Sequence, residues 1–261
     1  VSFDVERGEV HAVVGENGAG KSTLMKILGG LYPADFGEIT INGKKTAIRG
    51  VLDSLKSGIS VIYQEFNLVP MLTVAENIFL TRLPGKSGVV NRKKLNEKCS
   101  ELMHELKLDI NPSAMVSELS VSEMQMVEIA KAVSFDSAIV IMDEPTASLN
   151  DKEVATLYRL IDDLKKRGTT ILYISHRMKE IFDLSDRITV LRDGCKIGTY
   201  NTNEITEEEL IHKMVGRDIT KFYHSNDDES SETGEVVLEV NRLCKEGFYK
   251  DISFQLHRGE I

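Results

Sequence analysis

Apolar residues fall along the chain in two rhythms. Short aliphatic runs bounded by glycine or charge, at residues 9–14, 37–41, 59–63, 138–142, 169–174, 187–191 and 196–200, predict strands, most of them buried on both faces. Residues 21–31, 95–106, 122–134, 152–166 and 207–214 predict helices. In the fourth of these, Val154, Leu157, Leu160, Ile161 and Leu164 share one face, with acids and bases on the other. Such a stripe packs a helix on a sheet. Strands alternating with helices predict an α/β domain with a largely parallel sheet.

The opening segment, VSFDVERGEV, alternates as a half-buried strand does, with Arg7 and Gly8 as the turn into the next strand. Its pattern returns as ISFQLHRGEI, in register from Ile252: Ser, Phe, Arg, Gly and Glu recur, and the apolar positions exchange among Val, Ile and Leu. A fixed period is the mark of a tandem architecture. The expectation is a parent protein of two similar domains, with most of the first at residues 1–221, lacking its N-terminal strand, and the opening strands of the second at 236–261. Residues 222–235 (FYHSNDDESSETGE) are short of aliphatic side chains and read as an acidic linker.

Composition narrows the function. With 41% hydrophobic and 28% charged residues among 261, the chain can build a core. Its 32 Lys+Arg against 41 Asp+Glu leave a net charge of -9 and a pI near 5.3, the wrong sign for holding nucleic acid by bulk charge. Cys99, Cys195 and Cys244 form no CxxC pattern, and a reducing cytosol suits them. No apolar run approaches the roughly 18 residues of a membrane span, and the opening residues do not read as a signal peptide. His11, His104, His212, His224 and His257 have no ligand spacing and are assigned no metal.

Gly15, Glu16, Asn17, Gly18, Ala19, Gly20, Lys21 and Ser22 fit G-x-x-x-x-G-K-[ST] between a predicted strand and a predicted helix, the context the pattern requires. Glycines let successive backbone N–H groups turn inward as an anion nest, and the helix N-terminus directs its positive end at the same phosphates. Lys21 is placed to reach the β and γ phosphates, Ser22 to offer a hydroxyl to Mg2+, and Thr23 to bond the α phosphate. The aliphatic run at 139–142 ends in Asp143 and Glu144, which an open α/β sheet delivers beside such a loop. Asp143 suits Mg2+ and Glu144 suits activation of water. Gln64 and His176 close two further runs; each alone is an ordinary polar group at a strand end.

Together with Leu119, Ser120, Val121, Ser122, Glu123, Met124 and Gln125 ahead of the helix leading to Asp143, these residues resemble the nucleotide-binding subunits of ATP-binding cassette transporters. The resemblance runs over nearly the whole chain. It implies a P-loop nucleotide-hydrolase core with a mostly parallel sheet, an antiparallel β-subdomain and an α-helical subdomain inserted at about residues 65–136. It also implies roles: Glu144 as catalytic base, Gln64 sensing Mg2+ and the γ phosphate, and His176 contacting the γ phosphate. Ser22, Gln64 and Asp143 are then the Mg2+ set, with ATP and Mg2+ as cofactors. Leu119, Ser120, Val121, Ser122, Glu123 and Gln125 form the signature loop, which acts on a partner cassette, and residues 147–150 form the D-loop.

The tandem pattern, LSVSEMQMVEIAKAV, MDEPTASL and the segment from Met214 to Arg217 are similar to the monosaccharide-import branch, whose members carry galactose and methyl galactoside, ribose, xylose and, in some relatives, nucleosides. The implied partners are a second cassette of the same polypeptide or a homodimer mate, membrane permease subunits meeting residues 65–77, and indirectly an extracytoplasmic sugar-binding protein. The implied place is the cytoplasmic face of the membrane, with no nucleic acid.

Two positions depart from the family pattern. Ser122 stands where glycine is usual in the signature, and Asn150 where aspartate is usual in the D-loop. Glycine allows close backbone approach, which a serine crowds or replaces. The expectation is two unequal composite sites, the one built on Lys21 and Glu144 being the more competent. The usual adenine-stacking aromatic lies upstream of the segment that opens this chain; in the second copy, Phe248 or Tyr249 occupies the equivalent place. Two other readings compete. A nucleic-acid-linked cassette ATPase is disfavoured by the compact interval after Gln64, the absence of a zinc pattern and the acidic linker. A regulatory module that binds ATP without useful hydrolysis is disfavoured by Glu144 and His176 and left open by Ser122.

Overall fold

A computed structural model describes residues 1–86, 89–216 and 234–259. The chain divides into two compact units, Val1–Gly216 and Arg217–Ile261. The first begins with β1 (Val10–Val14), α1 (Lys21–Leu28), β2 (Ile39–Ile41), β3 (Lys44–Thr46), α2 (Val51–Lys56), β4 (Ile59–Ile62), α3 (Val74–Ile78), β5 (Gly85–Lys86) and β6 (Val89–Val90). It continues with α4 (Arg92–Glu105), α5 (Val121–Val133), β7 (Ile139–Asp143), α6 (Asp151–Lys166), β8 (Thr170–Ile174), α7 (Met178–Leu184), β9 (Arg187–Arg192), β10 (Cys195–Asn201) and α8 (Glu207–Val215). The second unit holds β11 (Val236–Lys245) paired antiparallel with β12 (Tyr249–His257).

Six strands form the central sheet in the order β10-β9-β1-β8-β7-β4. All neighbours run parallel except β10, which closes one edge antiparallel to β9. The expected α/β architecture is therefore present, with the antiparallel β2–β3 hairpin as a separate small sheet.

Both faces of this sheet are covered, which is why its strands read as unbroken aliphatic runs. Side chains alternate between the faces along each strand. Ala12, Val14, Val140, Met142, Ile171 and Tyr173 enter one core, together with Leu157, Ile161 and Leu164 of α6 and Ile181 of α7. Val13, Ile141, Leu172 and Ile174 enter the other, with Met25 of α1 and Ile48. Each fully buried aliphatic side chain contributes about 1.5–3 kcal/mol. The larger core extends through Val74, Ala75 and Ile78 of α3, Leu95, Cys99 and Met103 of α4, and Val127, Ile129 and Ala130 of α5. These helices lie in the chain between Gln64 and β7.

The structure corrects several expected boundaries. Residues 1–5, read as a strand, form none; alternation makes a strand only where a neighbouring edge offers hydrogen bonds. The equivalent residues of the second unit do find an edge, since β12 pairs with β11 at Leu238↔Leu256 and Val240↔Phe254. The helix expected over 21–31 ends at Leu28, where Gly29 and Gly30 follow; Gly30 has φ 77°, the left-handed value that stops a helix. The strand expected over 37–41 starts only at Ile39. The linker at 222–235 lies, except for its last two residues, outside the described residues, as does Arg217. Among the described residues, no helix is long and apolar enough to cross a membrane.

Candidate functional site

The phosphate-loop pattern occupies the turn between β1 and α1. β1 is wholly buried, so the loop is anchored in the core at its start. Gly15 is required by space: a β-carbon there would lie 2.2 Å from the carbonyl oxygen of Leu191 on β9. Gly18 (φ 86°) and Gly20 (φ 99°) take left-handed backbone that turns the loop into the helix. Ala19 is buried beneath the loop, while Glu16, Asn17, Gly18, Ser22 and Thr23 are exposed at its rim. The Lys21 ammonium donates to the carbonyl oxygens of Gly15 at 2.7 Å and Glu16 at 3.0 Å, so its charge sits over the loop.

β7 and β8 bring the acids and the histidine. Asp143 pairs in register with Ile174, and the Glu144 N–H donates to the Ile174 carbonyl at 2.9 Å, extending the ladder by one residue. Glu144 then takes φ 49°, an unfavourable backbone for a residue with a β-carbon, and leaves the sheet there. Its carboxylate meets two side chains from other strand ends. His176 Nδ1 lies 3.2 Å from Oε1, and the Gln64 amide donates to Oε2 at 3.5 Å. The structure thus brings Gln64, Glu144 and His176 to one carboxylate.

Asp143 is nearly buried, at 7% exposure. Burial, reinforced by the neighbouring Glu144, raises its pKa above the ordinary aspartate value, against the lowering effects of Lys21 and a hydrogen bond with Ser22. Burial also lowers the Lys21 pKa, opposed by the charges of Glu144 and Asp143. The loop lysine, the loop serine and both acids are therefore electrostatically one cluster. A buried carboxylate beside a hydroxyl is a hard oxygen set that would suit Mg2+.

The segment after Gln64 is held by side chains of the helical region. The Asn67 N–H donates to Glu128 at 2.6 Å, and Lys131 donates to the Asn67 carbonyl at 2.7 Å, both partners coming from α5. Asn77, buried on α3, accepts from the Val69 N–H and donates to the carbonyls of Val69, Leu72 and Thr73. Val69, Met71 and Leu80 remain exposed on this side.

The signature residues lie at the start of α5. Ser120 caps α5 with a reciprocal pair of bonds to Glu123, and its hydroxyl lies 3.2 Å from that of Ser122. Leu119 is half-buried against the larger core, Val121 is exposed, and Gln125 is buried. Asn150 caps α6, accepting from the Lys152 and Glu153 N–H groups and donating its own N–H to Glu153. Asparagine and aspartate serve that cap about equally well. In the second unit, Phe248 lies in the turn between β11 and β12 beneath the Lys245 ammonium, and Tyr249 opens β12.

A large cavity, about 1650 Å3, reaches this region only at Ala19, Gly20 and Thr23; otherwise it runs between β2–β3, Phe3, Leu24 and the sheet. None of Lys21, Gln64, Asp143, Glu144 or His176 lines it.

Residues 1–147, more than half of the chain, match the model of the ABC transporter family. The chain belongs to the ABC transporter family. Among individual relatives, the galactose/methyl galactoside import ATP-binding protein MglA of Clostridium tetani (strain Massachusetts / E88) is 47% identical over 267 residues, covering 100% of this chain and 52% of that protein. Two solved ABC structures share the fold. A nucleotide-free ATP-binding cassette from an ABC transporter has TM-score 0.70 and 27% identity over 83% of this chain and 88% of that one. The dimeric post-hydrolysis state of the cassette MJ0796, bound to ADP and Pi, has TM-score 0.65 and 25% identity over 77% and 88%. This cassette chain spans about half the length of the curated relatives it matches.

The residues that support the loops carry no mark in the local sequence. Glu180 is 4% exposed and accepts from Thr146, Tyr173 and Ser175. Glu128 is 5% exposed. Each sits among other acids on a helix, and local sequence carries no mark that separates a buried acid from a solvated one.

Proposed function

We propose that this chain is the ATP-binding and hydrolysing portion of a subunit that powers import of a monosaccharide, such as galactose, methyl galactoside or ribose. The observation that carries the reading is the convergence of Gln64 and His176 on the Glu144 carboxylate, with Asp143 and Lys21 in the same electrostatic cluster. Kinship with the Clostridium tetani import protein supports the sugar class.

The geometry supports a division of labour. The loop Gly15, Glu16, Asn17, Gly18, Ala19, Gly20, Lys21, Ser22 and Thr23 binds the triphosphate through backbone N–H groups, the Lys21 charge and the Ser22 and Thr23 hydroxyls. Ser22, Asp143 and Gln64 would hold Mg2+, which when bound neutralises phosphate charge. Glu144 accepts a proton from the attacking water, and His176 orients the carboxylate and meets the γ phosphate. Leu119, Ser120, Val121, Ser122, Glu123 and Gln125 close over the nucleotide of a partner cassette. The dimeric form of a solved relative supports pairing, with either a second copy or a second cassette of the same polypeptide as the mate.

Permease subunits dock beside exposed Val69, Met71 and Leu80, on the segment that Glu128, Lys131 and Asn77 hold. The complex sits at the cytoplasmic face of the membrane and receives sugar from an extracytoplasmic binding protein. Residues 1–221 form the first cassette, and residues 236–261 open the second. The test is uptake of labelled galactose, methyl galactoside and ribose by cells whose chromosomal copy carries Lys21→Ala. Loss of uptake of one sugar, with expression unchanged, is expected; unimpaired uptake of all three contradicts the reading.

A further inference from the structure

Glu180 lies on α7, four residues beyond His176, and is the acceptor for four donors. Oε1 accepts from the Thr146 hydroxyl at 2.7 Å and from Arg177 Nη1 at 3.3 Å. Oε2 accepts from the Tyr173 hydroxyl at 2.9 Å and the Ser175 hydroxyl at 2.8 Å. The Ser175 hydroxyl also accepts from the Arg177 N–H at 3.0 Å. Two of these donors flank the hydrolytic pair. Thr146 follows Glu144 by two residues, and Ser175 precedes His176 by one. The turn carrying Thr146 is short, with Ala147 N–H bonded to the Glu144 carbonyl and Leu149 N–H to the Thr146 carbonyl. Pulling on Thr146 therefore moves the backbone at Glu144.

A buried carboxylate is costly unless its lone pairs are filled, and once filled it fixes the groups that fill it. Here one carboxylate spans the loop after β7 and the loop after β8. We infer that Glu180 is a positioning residue for hydrolysis: through Thr146 and Ser175 it sets the separation of Glu144 and His176. The inference rests on the ATPase reading above. It assigns Glu180 no contact with nucleotide. Misplacement of a reacting group by about 1 Å can cost on the order of 100-fold in rate, so a distant clamp has a measurable effect.

The test uses the full chain with Mg-ATP and compares wild type with Thr146→Val, Thr146→Ser and Thr189→Val, with Glu180→Gln as a second cut at the same contact. Thr146→Val removes the bridging hydroxyl and keeps the side chain's shape. Thr189→Val makes the same change at a buried threonine elsewhere, one bonded to His11 and Thr199. Turnover, KM and the thermal midpoint are measured, with the 15N resonances of the His176 imidazole recorded alongside. In Thr146→Val and Glu180→Gln, kcat is expected to fall about tenfold or more while KM stays within about threefold. Thr146→Ser restores the rate. Thr189→Val matches the loss of thermal midpoint without the loss of kcat, and only the Thr146→Val and Glu180→Gln proteins shift the His176 resonances. Turnover and resonances unchanged in Thr146→Val overturn the inference, as does a kcat loss in Thr189→Val of the same size. Wild-type turnover that does not depend on Lys21 would overturn the ATPase reading instead; the His176 resonances then still decide whether Glu180 holds the pair.

Discussion

His176 Nδ1 and Glu144 Oε1 lie 3.2 Å apart although they come from different strand ends, one beyond β8 and one beyond β7. The contact exists because β7 and β8 pair parallel and in register, so both strands release their chains at the same edge of the sheet. Glu144→Gln preserves the shape of this pair and removes the proposed base. It is expected to lower turnover by on the order of 100-fold or more while leaving the ATP dissociation constant within about threefold. Phosphate release and equilibrium nucleotide binding check the two halves of that statement.

Asp143 gives a pH dependence with a definite sign. Its folded-state pKa is raised by burial first and by Glu144 second, so the folded chain binds this proton more tightly than the unfolded chain does. Stability from this group is therefore lost as pH rises from the ordinary aspartate value through the raised one. Under the proposed role of Asp143, Mg2+ binding would run the other way, because only the carboxylate would take the metal. Asp143→Asn is expected to raise the thermal midpoint at neutral pH by a degree or more, corresponding to roughly 0.5–1 kcal/mol, and to abolish the Mg2+ dependence of nucleotide binding. Melting curves at several pH values, with and without Mg2+, test both.

The loop and the cap should respond differently to small changes. Gly15→Ala drives a methyl group into the Leu191 carbonyl, and costs roughly 1–3 kcal/mol together with nucleotide binding. Asn150→Asp keeps the acceptor of the α6 cap and stays within about 0.5 kcal/mol, whereas Asn150→Ala costs about 1 kcal/mol. Urea denaturation of the three variants separates these expectations.

The cysteines sort by burial. Cys99 is fully buried and its thiol is pushed up to about 12 by desolvation, while Cys195 and Cys244 are exposed. A thiol reagent near neutral pH is expected to titrate Cys195 and Cys244 in the native protein and to reach Cys99 only after denaturation. Rapid native labelling of Cys99, read by mass spectrometry of its peptide, would contradict the packing of α4.

Much of the site was legible because its residues sit where patterns break. Gln64, Asp143 and His176 each end or follow an aliphatic run, and a strand buried on both faces announces its end by its first polar residue. The short helices were not legible: α3 spans five residues and α2 six, too few turns for a helical period to emerge. α7 was hidden because it begins two residues after His176, with no cap residue at Arg177 to mark its start. Residues 1–5 misled for the opposite reason, since their alternation is real and their pairing edge is not supplied by the first unit's described strands. Glu180 and Thr146 were invisible because their importance lies in a contact across 34 positions of sequence. Asn150 and Ser122 looked like equal departures, yet the structure gives Asn150 a full cap, whereas the Ser122 hydroxyl meets, among the described residues, that of Ser120.

In the proposed function, Mg-ATP is hydrolysed at the Lys21 loop once a second cassette closes over it. The most direct measurement is phosphate release per chain as a function of protein concentration, with Lys21→Ala beside the wild type. The predicted result is a specific rate that climbs with concentration and vanishes in Lys21→Ala. A rate that is independent of concentration, or that survives in Lys21→Ala, would contradict it.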